Sequence, residues 1–194
     1  QFLSWMNKAI SKTVERVLQR IEEETKYRFM PIVGRKKGKL LEELVKQKKP
    51  KAVLEIGALV GYSAILMARN MKAGSIVTIE RSARNAKQAE KNIKDAGFGN
   101  KVQMITEDAL KVIKRLKGKF DMIFIDAAKE EYLDYLKLLE KQKLIAKGTV
   151  IVADNAKIFS DAMKDYLDYV RKSGQYRSSF HDFGFDGMEV SVKK

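Results

Sequence analysis

The chain has 194 residues, 45% of them hydrophobic, enough to bury a substantial core in one domain and too few for two ordinary domains. It has no cysteine, which excludes disulfides, thiolate catalysis and Cys-based zinc sites and fits a cytoplasmic protein. No apolar run approaches the roughly 20 residues of a membrane span and no cleavage site follows an apolar leader, while a net charge of +14 invites a polyanion as partner.

Gln1 is not an initiator, so native residues are expected upstream of it. Apolar Ile10, Val14, Val17, Leu18 and Ile21 recur at helical spacing and predict an amphipathic helix over residues 4–28 that docks on the protein's own core. The acidic run Glu22-Glu23-Glu24 argues against a membrane-surface role for it. A second helix is expected over 38–47, ended by Pro50. Strand-like runs at 52–56, 75–80, 102–105, 120–125 and 149–153 then alternate with helix-like runs at 63–70, 83–96, 110–116 and 132–139. Such alternation predicts right-handed crossovers and an α/β fold with a mostly parallel sheet covered on both faces. Residues 176–182 and 188–193, joined by 184–187, read as a closing hairpin. The whole of 1–194 is expected to form one domain, with the helices of 1–50 covering the sheet and the substrate side.

The most informative stretch is 53–61, V-L-E-I-G-A-L-V-G, where an apolar strand runs into a loop with Gly57 and Gly61. Glycines there permit a tight turn and a close approach of ligand to backbone. The spacing is Glu55-x-Gly57-x-x-x-Gly61, with Leu59 where the dinucleotide fingerprint needs its second glycine, so a diphosphate is a poor fit. Glu80 ends the next apolar run 23 residues past Gly57, where an acid takes up ribose hydroxyls in such folds. A ribose-bearing ligand without a diphosphate satisfies both, and S-adenosylmethionine is the leading candidate. The alternative is an ordinary strand-to-helix turn.

Two further strand ends carry acids: Asp126 after 120–125, and Asp154-Asn155 after 149–153. On adjacent parallel strands these place two carboxylates and an amide oxygen on the same sheet edge as Gly57. Three oxygen donors without histidine or thiolate suit Mg²⁺ and disfavour zinc. Singly, each would read as a cap or turn residue. Lys129, three residues beyond Asp126, is the candidate general base, against the alternative of one more surface lysine. The single histidine, His181, is assigned at most a place on the rim. The basic residues are spread over 35–37, 46–51, 111–119, 137–147 and 193–194 with few aromatics between them. They read as solvated faces about as well as an RNA surface.

From about residue 31 to 193 the chain resembles the class I, metal-dependent O-methyltransferases of the catechol and caffeoyl-CoA type, nearest to the catechol enzymes and their small prokaryotic relatives. The stretches that carry the resemblance are V-G-R-K-K-G at 33–38, V-L-E-I-G-A-L-V-G-Y-S-A at 53–64, V-T-I-E at 77–80, F-I-D-A-A-K-E-E-Y at 124–132, G-T-V-I-V-A-D-N at 148–155 and D-G-M-E at 186–189. It implies a Rossmann-like, seven-stranded sheet with an antiparallel last strand. It also implies S-adenosylmethionine at Val33, Glu55, Gly57, Leu59, Gly61, Tyr62, Ser63, Glu80, Arg81, Asp108, Ala109 and Asp126, and Mg²⁺, or another divalent ion such as Mn²⁺ or Ca²⁺, on Asp126, Asp154 and Asn155. The expected reaction is proton removal by Lys129 from one hydroxyl of a catechol-like diol, followed by attack of the oxygen on the sulfonium methyl.

Ala128 stands where the catechol enzymes have a tryptophan, which removes one wall of the aromatic slot. Their glutamate for the second hydroxyl has no counterpart, His181 and Asp182 being nearest, and the plant-type substrate loop is absent. Some relatives methylate a hydroxylated uridine in tRNA, making tRNA the alternative acceptor. A non-catalytic module that binds the cofactor or RNA is a further alternative. Relatives often dimerise through N-terminal elements, which makes 4–28 the candidate homodimer surface.

Overall fold

A computed structural model describes residues 2–194, with side chains from Ser11 onward, so Gln1 and the side chain of Ile10 lie outside the described residues. In chain order the elements are α1 (Phe2–Glu24), α2 (Gly34–Lys48), β1 (Ala52–Ile56), α3 (Tyr62–Asn70), β2 (Ser75–Ile79), α4 (Ala83–Asp95), β3 (Val102–Ile105), α5 (Ala109–Ile113), β4 (Met122–Ile125), α6 (Tyr132–Lys141), β5 (Val150–Ala153), α7 (Lys164–Lys172), β6 (Tyr176–Asp182) and β7 (Gly187–Lys193). A single 3₁₀ turn, Lys129–Glu131, precedes α6.

The sheet order is β3-β2-β1-β4-β5-β7-β6. The first five strands run parallel, and β7 pairs antiparallel with both β5 and β6. The alternating α/β reading is therefore observed. The order reverses between β1 and β4, where a ligand crevice is expected outside the carboxyl ends of the strands.

Side-chain alternation along the central strands sorts the core into two layers. Val53, Met122, Phe124, Val150 and Val152 face Leu18, Leu41, Ile65 and Met67, all buried, on one side. Leu54, Ile56, Ile123, Ile125 and Ile151 face Tyr132, Leu136, Leu139, Leu167 and Val170 on the other. Strands buried on both faces read as unbroken apolar runs, which is how β4 (M-I-F-I) and β5 (V-I-V-A) are written.

Helix boundaries depart from expectation where charge hid the pattern. The first helix ends at Glu24 rather than residue 28, and α2 starts at Gly34, because Arg35, Lys36 and Lys37 belong to its first turn. The helix expected at 110–116 is shorter, Ala109–Ile113, capped by Asp108 accepting from the Lys111 amide at 3.2 Å. Helix α7 was not anticipated. Its sequence K-D-Y-L-D-Y-V-R-K buries only Tyr166, Leu167 and Val170, a stripe too narrow to stand out among charges.

Candidate active site

Five parallel strands end on one edge, and the loops that follow line a cleft of about 810 Å³. Gly57, Leu59, Glu80, Arg81, Asp108, Ala109, Asp126, Lys129, Asp154 and Asn155 all line it. Sites proposed from five separate stretches of sequence thus converge on one cavity.

At the β1 end the backbone sets the shape. Gly57 has φ +99°, and a Cβ there would run into the carbonyl of Asp126, so the loop can lie against β4 only with glycine at this position. Its amide donates to Ile79 O at 2.9 Å, tying the loop to β2. Leu59 also takes a left-handed φ of +48°, and its amide donates to Glu80 Oε2 at 2.9 Å. Glu80 Oε1 accepts from the Ser82 amide at 2.9 Å. Each carboxylate oxygen keeps a further lone pair, so Glu80 can hold the loop and still accept from a ligand's hydroxyls.

Val33, Glu55, Gly61, Tyr62 and Ser63 do not line the cleft; they stand behind it. Gly61 caps α3 at φ +82°, and an added Cβ would press on Ile93 and Ala89 O at 3.1–3.2 Å, so this glycine serves the packing of α3 on α4. Tyr62 is buried and donates its hydroxyl to Glu22 of α1 at 2.5 Å. Val33 is buried at the start of α2. Glu55 is fully enclosed in β1, where Ser63 Oγ donates to it at 2.5 Å and Thr78 Oγ1 donates to its other oxygen. Burial pushes the Glu55 carboxyl up to about 7, against the pull of those two hydroxyls.

On the β4–β5 side the site is built from charged side chains. Ile125 and Ala153 pair in parallel register, so Asp126 and Asp154 follow on adjacent strand ends. Lys129, brought back by the 3₁₀ turn, donates to Asp126 Oδ1 at 2.8 Å and to the Tyr132 hydroxyl at 3.0 Å. Asp154 is nearly inaccessible, and burial, reinforced by the negative charge of Asp126, pushes it up to about 6 although Lys37 opposes the shift. Asn155 has a left-handed φ of +65°.

Two members of this group were missed as site residues. Lys37 Nζ lies 2.6 and 2.8 Å from the two Asp154 oxygens and 2.8 Å from Asp186 Oδ2. Burial works against its charge, but the two carboxylates overcome that and raise its pKa. Asp186 is held below the usual aspartate range, its burial outweighed by Lys37, the Gly187 amide and Asn155. Their only sequence signal was membership in the V-G-R-K-K-G and D-G-M-E stretches.

The expected neighbours of the acceptor fall differently. His181 sits on β6 with Nε2 3.1 Å from Ser179 Oγ, and Asp182 pairs with Lys157; neither lines the cleft. Ala128 does, as do Phe29, Ile158, Phe159 and Phe185. Phe29 and Phe185 are 94% and 86% exposed, giving the mouth an apolar rim.

Among the described residues no group of three or more His, Cys, Asp or Glu side chains is arranged to hold a metal, and no helix is long and apolar enough to cross a membrane. Asp126, Asp154 and Asn155 nonetheless all line the cleft and offer only oxygen donors to a metal, and the Asp154 carboxylate already gathers a cation, the Lys37 ammonium, on both oxygens. That chemistry fits a small hard cation.

Comparison with known proteins gives the family and supports the fold. An O-methyltransferase family model matches residues 8–173. Catechol O-methyltransferase of Sus scrofa is 36% identical over 174 residues, covering 84% of this chain and 92% of that protein. Catechol O-methyltransferase B of Danio rerio is 36% identical over 172 residues, 82% of this chain and 64% of that longer protein. Among solved structures, the Bacillus cereus O-methyltransferase in complex with SAH superposes with a TM-score of 0.81 at 28% identity, over 94% of this chain and 91% of that one. The chain belongs to the O-methyltransferase family.

Proposed function

We propose that this methyltransferase moves the methyl group of S-adenosylmethionine to one hydroxyl of a catechol-like vicinal diol, with a divalent cation, Mg²⁺ first among them, held by Asp126, Asp154 and Asn155. The observation that carries the reading is the placement of Lys129 and Asp126 beside Asp154-Asn155 in the cleft that Gly57, Glu80 and Asp108 also line.

In this reading Glu80 takes up the ribose hydroxyls, and Arg81, Asp108 and Ala109 border the adenine. Gly57 and Leu59 leave the loop backbone next to the methionyl part, while Glu55, Gly61, Tyr62 and Ser63 hold the loop from behind. When bound, the cation would lower the pKa of the diol hydroxyls from the roughly 10 of a free phenol. Lys129, as the neutral amine, takes the proton from the reacting hydroxyl, and the ammonium so formed pairs with Asp126, its partner in the structure. The oxygen then forms its bond to the methyl carbon as the carbon–sulfur bond breaks, and S-adenosylhomocysteine leaves with the electron pair. Position and charge stabilisation supply most of the rate.

The apolar rim of Phe29, Ile158, Phe159 and Phe185 suits an aromatic acceptor body. The tRNA reading rests on the family resemblance and on the net charge of +14. The test is transfer of labelled methyl to a simple catechol, with Mg²⁺ and then with excess chelator. Chelator-sensitive transfer is expected. Undiminished transfer in chelator would remove the metal, and no transfer with intact cofactor binding would remove the diol and make tRNA the next acceptor, recognisable by binding that weakens steeply with salt.

A further inference from the structure

We infer that Asp186, which does not line the cleft, is a positioning residue that fixes the side-chain amide of Asn155 with its oxygen free for the divalent cation, and that Lys37 is the counter-ion that makes a buried acid tolerable there. The inference rests on the metal reading above and deepens it.

Asp186 is 7% exposed, and the groups that hydrogen-bond its carboxylate, Lys37, Asn155 and the Ile158 and Gly187 amides, are all donors. Lys37 Nζ lies 2.8 Å and Asn155 Nδ2 2.7 Å from Oδ2, while the Ile158 amide lies 3.3 Å from Oδ1. An ionised carboxylate only accepts, so the arm of the Asn155 amide that meets it must be the NH₂. The oxygen is thereby the arm left over. An amide turned the other way would set two N–H donors against oxygen and offer a repulsive group to a cation. Asparagine, unlike aspartate, needs such a choice made for it, because its two arms differ in kind.

The backbone supports the same purpose. Asn155 keeps its left-handed φ of +65° while its amide donates to Asp154 Oδ1 at 2.7 Å. The next amide, Ala156, donates to Gly187 O at 2.9 Å, so the turn after β5 is stitched to the start of β7 beside Asp186. Lys37 closes the group by contacting Asp154 and Asp186 together. A carboxylate buried only to stabilise the turn would need no contact with the Asn155 side chain, the one ligand whose orientation is ambiguous.

The experiment is a double-mutant cycle read by Mn²⁺ binding to the full chain, without cofactor or diol, using the paramagnetic resonance of free Mn²⁺. D186L is expected to weaken Mn²⁺ binding by about 10–100-fold, the usual effect of removing a group that orients a ligand. In an N155D background, where both oxygens of the new ligand are alike, D186L should cost little or even strengthen binding by relieving like charge. If D186L fails to fold by circular dichroism, D186N replaces it, with a smaller loss expected and the same dependence on background. Equal losses in both backgrounds would show a merely structural acid and overturn the inference, as would undiminished binding in D186L or D186N alone. Absence of Mn²⁺ binding by the unaltered chain would remove the metal reading and this inference with it.

Discussion

The two halves of the cleft are made in different ways. At the ends of β1 and β2 the wall is backbone: Gly57 fits under the Asp126 carbonyl, its amide reaches Ile79 O, and the Leu59 and Ser82 amides meet Glu80. At the ends of β4 and β5 the wall is side-chain charge, with Lys129 on Asp126 and Lys37 shared between Asp154 and Asp186. A wall shaped by backbone holds one form, suited to a large ligand that must be seated the same way each turnover. A charged wall can exchange partners, suited to a cation and a proton that come and go.

If that contrast is right, variants of the two halves should fail differently. The largest effect is expected from D154A, which should lower methyl transfer by at least about a thousandfold while cofactor affinity measured by calorimetry stays near the parent value; lost cofactor binding would mean that the halves are not separate. K129M comes next, with kcat reduced by about 10²–10⁴-fold and the limb of the pH–rate profile that reports the base removed. An unchanged profile would take the proton-transfer role from Lys129.

On the backbone side the expected loss is stability. G57A forces a Cβ into the Asp126 carbonyl at a φ that alanine resists, and denaturant unfolding should show a loss of about 2 kcal/mol or more. G61A should lose less than G57A, because the side chain of Ile93, one of its close neighbours, can shift. Equal losses would erase the distinction between the two glycines.

A last effect, read as a pH dependence, concerns Glu55, whose carboxyl is raised by burial from the usual 4.5 to about 7. The folded chain therefore keeps this proton where the unfolded chain releases it. Stability should fall as pH rises from about 4.5 to 7 and level off above, by about 3 kcal/mol at most from this group. E55Q should flatten that slope. An unaltered slope would locate the dependence in another group.

Much of this was legible in the chain itself. The strand-then-glycine pattern at 53–61 located a loop that lines the cleft, and acids placed just past apolar runs located Asp126 and Asp154, because parallel strands buried on both faces advertise themselves and end at predictable places. Lys37 and Asp186 were read only as parts of matching stretches. Lys37 is 117 residues from Asp154 and 149 from Asp186 along the chain, and a lysine among 39 basic residues carries no local mark of burial. Tyr62 and Ser63 were expected at the ligand but turn to Glu22 and Glu55, since α3 begins by burying its first turn. His181 was expected at most on the rim and lies on β6, outside the cleft lining.

The sequence by itself determined the alternation of strands and helices, the edge on which the chemistry gathers and the donor types available there, because hydrophobic periodicity and glycine placement are local properties. Tertiary structure alone decided which lysine meets which acid and which way the Asn155 amide points. Those outcomes depend on α2 and the β6–β7 hairpin closing over the ends of β4 and β5, and burial then makes each ionic contact strong enough to choose its partner.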